Sequence, residues 1–380
     1  MLDSAHYEGR EQALVKHTFL DRYLRDQLMK VGRFGSFAYV DLFAGPWKSR
    51  AADYSDTSFG IALRRMAEAK EALAKVGVNV QFTAHLVEKD NFEELQHAVS
   101  LFDGVKAHCY RGLAEDHAPT IARAVAASKF RFVVVDPLGL PDPRQFSGLI
   151  SAQNTEVLLN FMFDFANRFA GTDLMPALVD WLSIVAPKEQ WQAEIASLES
   201  SAREAHITDM ARGALARMGG YDYAPAITVD KVDSDRALYK LIFLSRHEKG
   251  LRLFRDAQAT ALQVQSDQRS RVKAAKRAEK TGQHDMFAAA GFSDPSERSA
   301  QLLLRDRAKA IEAALENIDR APANGILWKM LWTTVLDDHV ITYRDLSKAV
   351  SDWHKAGRVL IRGLPEKARA PKDDLYISRS

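Results

Sequence analysis

Short aromatic and β-branched runs alternate with amphipathic stretches between residues 37 and 163, and this alternation constrains the fold more than any other feature of the chain. The runs fall at 37–43, 80–87, 105–110, 130–135 and 157–163, and each has strand composition. Between them, 58–75, 91–101, 118–128 and 143–153 place apolar residues at three- and four-residue spacing, which predicts helices. A further helix is predicted over 7–31, ahead of the first strand. Strands separated by helices predict right-handed βαβ crossovers and a parallel, doubly wound sheet. Phe132-Val133-Val134-Val135 is apolar on both faces, as a strand covered on both sides requires.

The pattern changes after 163. Residues 175–218 read as a helical insertion. Two more strands, 226–232 and 238–244, flank a polar turn at Asp233-Ser234-Asp235 and predict a terminal antiparallel pair. Residues 263–299 are rich in Gln, Ser, Arg and Lys and read as a basic linker or as a solvated helix followed by a loop. From 300 the chain becomes regular again, with three helices, a strand near 358–361, a basic loop and a strand near 375–378. That order predicts a winged helix. The expected division is therefore 1–262 for an α/β Rossmann-like domain, 263–299 for the linker and 300–380 for the winged helix.

Composition removes several function classes. The lone Cys109 excludes an intramolecular disulfide and a cysteine-based zinc site, and inside a predicted strand it reads as a buried structural thiol. His17, His85, His108, His117 and His247 show no ligand spacing, so no metal is expected. No apolar run reaches the length of a membrane span, and the first ten residues lack a signal peptide's apolar core, so a cytoplasmic protein is expected. The net charge of +2 neither demands nor forbids a nucleic-acid partner, which leaves that question to local patches.

In doubly wound sheets ligands bind beyond the carboxyl ends of the strands, so the residues following each strand are the candidates. The first strand leads into Asp41-Leu42-Phe43-Ala44-Gly45-Pro46-Trp47, an acid beside a small-residue turn that lets a ligand approach the backbone. The second ends at Glu88, placed to accept from two ribose hydroxyls. Arg111-Gly112-Leu113-Ala114 follows the third strand and Asp136-Pro137-Leu138-Gly139 the fourth; Asn160 closes the fifth. There is neither a GxGxxG turn nor a GxxxxGK[ST] loop, which disfavours a dinucleotide and a nucleoside triphosphate.

These segments, with Leu140-Pro141, Asn160-Phe161 and Ser245-Arg246-His247-Glu248-Lys249-Gly250-Leu251, resemble the three-Cys-motif partner family, a methyltransferase-like group, over about residues 16–256. The first motif also resembles the Asp-x-Phe-x-Gly turn of DNA methyltransferases. The resemblance implies a methyltransferase sheet that binds S-adenosylmethionine, with Asp41, Phe43, Ala44, Gly45, Glu88, Gly112 and Leu113 at the cofactor. It implies Asp136 facing the methyl donor with Asn160 beside it, both catalytic candidates, and a three-Cys-motif protein as a possible partner. Leu138 stands where amino-directed enzymes carry a base-stacking aromatic; Phe161, Phe163 and Phe165 are the nearby substitutes.

Two basic segments point to nucleic acid. Arg269, Arg271, Lys273, Lys276, Arg277 and Lys280 form either a solvated helix face or an arm for phosphates. In the tail, Lys348, Arg358, Arg362, Lys367 and Arg369 fall on the expected third helix and wing, where DNA or RNA contacts are expected. Three functions stay open: a methyltransferase acting on or with nucleic acid, a non-catalytic nucleoside-binding partner that docks another protein through its winged helix, and a DNA-binding regulator whose Rossmann-like domain is a sensor.

Overall fold

The structure, a computed structural model, describes residues 2–45, 49–169, 176–281, 294, 296–365, 368 and 370–380. The chain divides into two compact units, Met1–His247 and Glu248–Ser380. Among the described residues no helix is long and apolar enough to cross a membrane.

The first unit is an α/β fold on a seven-stranded, mostly parallel sheet. Its strands are β1 (Ser36–Asp41), β2 (Gln81–Glu88), β3 (Lys106–Arg111), β4 (Phe130–Val135), β5 (Thr155–Phe161), β6 (Ala226–Asp230) and β7 (Ala237–Leu244), in the spatial order β3-β2-β1-β4-β5-β7-β6. β1 pairs in parallel with both β2 and β4, placing Tyr39 beside Ala84 and Phe132. Strand order therefore reverses between β1 and β4, which makes that crevice the switch point. β7 runs antiparallel between β5 and β6, so the expected terminal pair is present.

Helices cover both faces: α1 (Glu11–Val31), α2 (Ser58–Ala74), α3 (Phe92–Ser100), α4 (Ala114–Ala124) and the short α5 (Ser147–Ile150). α1 buries Leu14, Phe19, Leu20, Tyr23, Leu24 and Leu28 along one stripe. Tyr23 lies 5.3 Å from the Phe132 ring and 5.1 Å from the Phe243 ring, which docks the helix across three strands. α2 starts where the Thr57 hydroxyl accepts from Gly60 N–H at 3.1 Å. Gly60 is obligatory there, because a Cβ would lie 2.1 Å from the Tyr54 carbonyl oxygen. Between β5 and β6 the helices α6 (Phe163–Phe169), α7 (Pro176–Leu182), α8 (Lys188–Ser197) and α9 (Ser200–Gly219) form the expected insertion. Phe161 and Phe163 are buried in the core with Trp181, so neither replaces a stacking aromatic; the Phe165 side chain lies outside the described residues.

The second unit opens with α10 (Glu248–Thr281), followed by α11 (Arg298–Arg320), α12 (Trp328–Asp338) and α13 (Tyr343–Lys355). β8 (Ile326–Leu327), β9 (Val359–Arg362) and β10 (Tyr376–Arg379) form a three-stranded antiparallel sheet with β10 central. Trp328 and Trp332 fill its core and donate to Tyr343 Oη and Asp373 Oδ1, both at 2.9 Å.

The two units divide in sequence at His247/Glu248. Of the expected linker or solvated helix at 263–299, the part as far as 281 is the continuation of α10. Past Leu262 the buried residues of this helix are Gln265, Ser266, Arg269 and Ser270, so the apolar stripe of its first half does not continue. Arg269 is only 1% exposed and pairs with the equally buried Glu297 at 2.5 Å. It belongs to the core of the second unit and not to a solvated face or a phosphate arm.

Candidate functional site

A cleft of about 970 Å³ opens in the first unit at the carboxyl ends of β1, β2, β4 and β5. Its walls come from the segments after each strand and from one face of α1. The volume suits a nucleoside-sized ligand.

Glu88 forms one wall. Its Oε1 accepts from the backbone N–H of Asp90 and of Asn91, both at 2.8 Å, and so fixes the turn into α3. Asn91 is the N-cap of that helix and makes no side-chain cap bond, so Glu88, at the strand end, is what holds the turn ahead of it. Among the described residues nothing donates to Oε2, on a side chain that lines the cleft. Gly112 donates its N–H to Glu88 O at 3.1 Å and has φ +128; a Cβ there would press on His117 Nε2 at 3.2 Å. Leu113 beside it is 47% exposed and, with half-buried Phe43, supplies apolar wall.

The first loop divides into residues that touch the cleft and residues that shape it. Phe43 and Gly45 line it. Asp41 and Ala44 lie behind them. Asp41 is fully buried, and its carboxylate accepts from Ser58 Oγ at 2.6 Å, Phe43 N–H at 3.1 Å and Tyr39 Oη at 3.1 Å. Burial pushes its pKa up to about 6 against the pull of these donors. Ala44 spends its N–H on Val87 O at 2.8 Å. Trp47 lies outside the described residues.

Asp136 and Asn160 meet at the ends of β4 and β5. Asn160 Nδ2 donates to Asp136 Oδ1 at 2.7 Å, and Lys16 of α1 pairs with Oδ2. Asn160 is 6% exposed, and among the described residues its Oδ1 has no hydrogen-bond donor. The loop beyond, Pro137 to Pro141, forms the lip, where Leu138 stands 87% exposed.

Reading strand ends alone misses the contribution of α1 and of the loop before α2. Arg10, Lys16 and His17 line the cleft, as do Asp56 and Ser58. Arg10 pairs with Asp56, which also accepts from Ser49 Oγ at 2.5 Å and Arg50 N–H at 2.8 Å. Burial favours the neutral acid at Asp56, but these donors hold it below the usual carboxylate range. His17 Nδ1 meets Tyr7 Oη at 3.0 Å; burial, then the charges of Lys16 and Arg10, lower its pKa and keep the ring neutral. His17 is, with Gln27, a polar residue on the otherwise apolar buried face of α1, and Lys16 stands beside it, partly exposed.

Other candidates stand apart. Cys109 is half-buried on the edge strand β3, not fully buried as expected, with its thiol pKa raised by desolvation. Among the described residues no cluster of His, Cys, Asp or Glu is arranged to hold a metal. In the second unit Lys348 pairs with Asp352 at 2.8 Å, Arg358 lies 6.0 Å from the Trp353 ring, and Arg362 donates to Ala323 O at 2.7 Å. All three are exposed; Lys367 and Arg369 lie outside the described residues.

The structure defines an α/β protein with an open cleft at the switch point of a mostly parallel sheet. The chain matches no model of a known protein family and no curated protein.

Proposed function

We propose that the protein is an S-adenosylmethionine-binding, methyltransferase-like protein that acts on or with nucleic acid. The observation that carries this reading is Glu88: two backbone N–H groups anchor one carboxylate oxygen while the other is left to the cleft. A ribose with vicinal hydroxyls satisfies such an acceptor. The lining fits the rest of the ligand. Phe43 and Leu113 offer apolar surface to a purine, and Gly45 and Gly112 keep the backbone approachable. The terminal antiparallel pair β6/β7 agrees with the methyltransferase sheet that the family resemblance implies.

When bound, S-adenosylmethionine supplies an activated methyl group on a sulfonium. Glu88 holds the ribose; Asp41 sets the first loop through Phe43 N–H and Ser58; Asp136, with Asn160 and Lys16, orients the acceptor. The second unit then supplies nucleic-acid affinity: α11, α12 and α13 with the β8–β10 sheet have the element order of a winged helix, and Arg358 and Arg362 are exposed on it. Calorimetry with S-adenosylmethionine and its demethylated product, followed by methyl transfer to total nucleic acid, tests the reading. Absence of binding at millimolar ligand sinks it.

A second reading is favoured by one observation. The Asp136 carboxylate is already paired with Lys16, which lowers its worth as a base. In that reading the protein binds the nucleoside without turnover and docks a partner, such as a three-Cys-motif protein, through the second unit. Ligand binding without methyl transfer selects it.

A further inference from the structure

The inward face of α10 runs on past the core that covers it. As far as Ser270 the helix buries Leu262, Gln265, Ser266 and Arg269 along this face. The start of α11 and the residues just before it provide the cover. Gln265 Nε2 donates to Ser299 Oγ at 2.7 Å, Arg269 pairs with Glu297, and Ser270 Oγ accepts from Asp294 N–H at 2.9 Å. Beyond Ser270 the helix continues to Thr281, and none of its residues there is buried. The same three- and four-residue spacing now brings Lys273, Lys276, Arg277 and Lys280 onto that face. At 3.6 residues per turn the four lie within about 100° of one another.

Solvation alone does not account for this arrangement. Lys273 with Lys276 and Arg277, and Lys280 with Lys276 and Arg277, set like charges three and four residues apart, where they repel and weaken a helix. The helix dipole favours cations only in the last turn, which holds Lys280 alone. Asp294 offsets part of the charge: Lys273 and Arg277 act on its carboxyl, which the hydrogen bonds from Ser296 hold below the usual range first. Lys276, Arg277 and Lys280 are exposed. A polyanion relieves the remaining repulsion. From Lys273 to Lys280 the helix rises about 10 Å. Over that length a nucleic-acid duplex presents about six phosphates, both strands counted.

We infer that Lys273, Lys276, Arg277 and Lys280 form a docking face for the phosphate backbone of a nucleic-acid duplex, in addition to any contact made by Arg358 and Arg362. This rests on the reading that the protein acts on or with nucleic acid, and it adds a second place where the backbone is held.

The test measures binding of the full chain to short mixed-sequence DNA and RNA duplexes over a range of salt concentrations. Replacing all four residues with Gln keeps helix propensity and removes the charge. The salt slope for duplex DNA should then fall by about three units, and affinity at about 0.1 M salt by tenfold or more. Arg277→Gln alone should lower the slope by about one unit, and Arg277→Lys should retain it. Arg271→Gln, on the opposite side of the same turns, should leave the slope unchanged. If the fourfold variant unfolds, the comparison of Arg277→Gln with Arg277→Lys decides. A wild-type slope in the folded fourfold variant overturns the inference. So does an equal loss in Arg271→Gln and Arg277→Gln, which would show general charge and no face. Polyglutamate bound as tightly as duplex, with the same dependence on the four residues, also overturns it and assigns the face to an acidic protein. Duplex binding that ignores the four residues sinks this face alone; absence of duplex binding by the wild type at low salt sinks the nucleic-acid reading with it. S-adenosylmethionine binding, recorded in the same samples, tests the cofactor reading separately.

Discussion

At the amino end of β5, Glu156 accepts from Tyr23 Oη, from Gln27 Nε2 at 2.9 Å and from Ser245 Oγ at 2.8 Å; at the carboxyl end of the same strand, Asn160 leaves its oxygen unmatched. β4 repeats the contrast. Arg131 at its start gives its guanidinium to the carbonyls of Val125, Ala126 and Gln153, while Asp136 just past its end faces a cleft. Nearby, Arg246 donates to the carbonyls of Ser151, Ala152, Gly219 and Gly220 and lies 4.2 Å from the Tyr221 ring. These polar groups at one end of the sheet are saturated by the protein; at the other, Asp41 is saturated too, but Glu88, Asp136 and Asn160 keep capacity for something else. The first condition is what stability requires of a buried polar group, and the second is tolerated where a ligand completes the set.

The contrast breaks most visibly at Glu156. Replacing it with Ala strands three buried donors, and we expect a loss of about 3 kcal/mol or more in stability by thermal or denaturant unfolding. A loss below about 1 kcal/mol would mean that this end is no more structural than the cleft.

Next in size is Glu88→Ala. Removing the free oxygen should weaken S-adenosylmethionine binding by about 1–3 kcal/mol. The lost bonds to the turn before α3 should cost the fold only about 1 kcal/mol. Calorimetry and unfolding on one preparation separate the two; unchanged affinity in a folded variant removes Glu88 from the site.

A smaller effect sharpens the comparison through pH. Burial pushes Glu156 up to about 7 from an ordinary value of 4.5, and Asp41 up to about 6. Both carboxyls bind protons more tightly folded than unfolded, so their contribution is complete below the unfolded values and is lost as pH rises to about 7. Glu156→Gln removes one of these terms. Its melting temperature relative to wild type should therefore be more favourable at pH 8 than at pH 5; a difference independent of pH would contradict the raised value.

The smallest expected effect lies in the second unit, where Arg362 donates to a backbone carbonyl yet remains exposed. If it meets a phosphate, Arg362→Ala should lower the salt slope of nucleic-acid binding by about one unit with little change in stability. An unaltered slope would take Arg362 out of any nucleic-acid interface.

The strand ends were legible because period and composition carry them. Asp41, Glu88, Asp136 and Asn160 each follow an apolar run, and four of the five parallel strands announce themselves by Val, Leu and Phe. The sheet-closing pair showed in the polar turn at 233–235. The reach of α10 showed only as one of two readings, since past Leu262 polar side chains build its buried face and periodicity measures only apolar ones. Nor could the division of labour in the first loop be read: Asp41 and Ala44 differ from Phe43 and Gly45 only in where a tight turn aims them.

By itself the sequence determined the alternation of strand and helix, because side-chain period is a local property that neighbours along the chain impose. It determined which acids lie at strand ends for the same reason. Tertiary structure alone decided which of them keep an oxygen free. Lys16 reaches Asp136 across 120 positions of sequence, and Tyr23 reaches Glu156 across 133. Burial and hydrogen-bond partners of that kind come from strand order and helix docking, which no local pattern encodes.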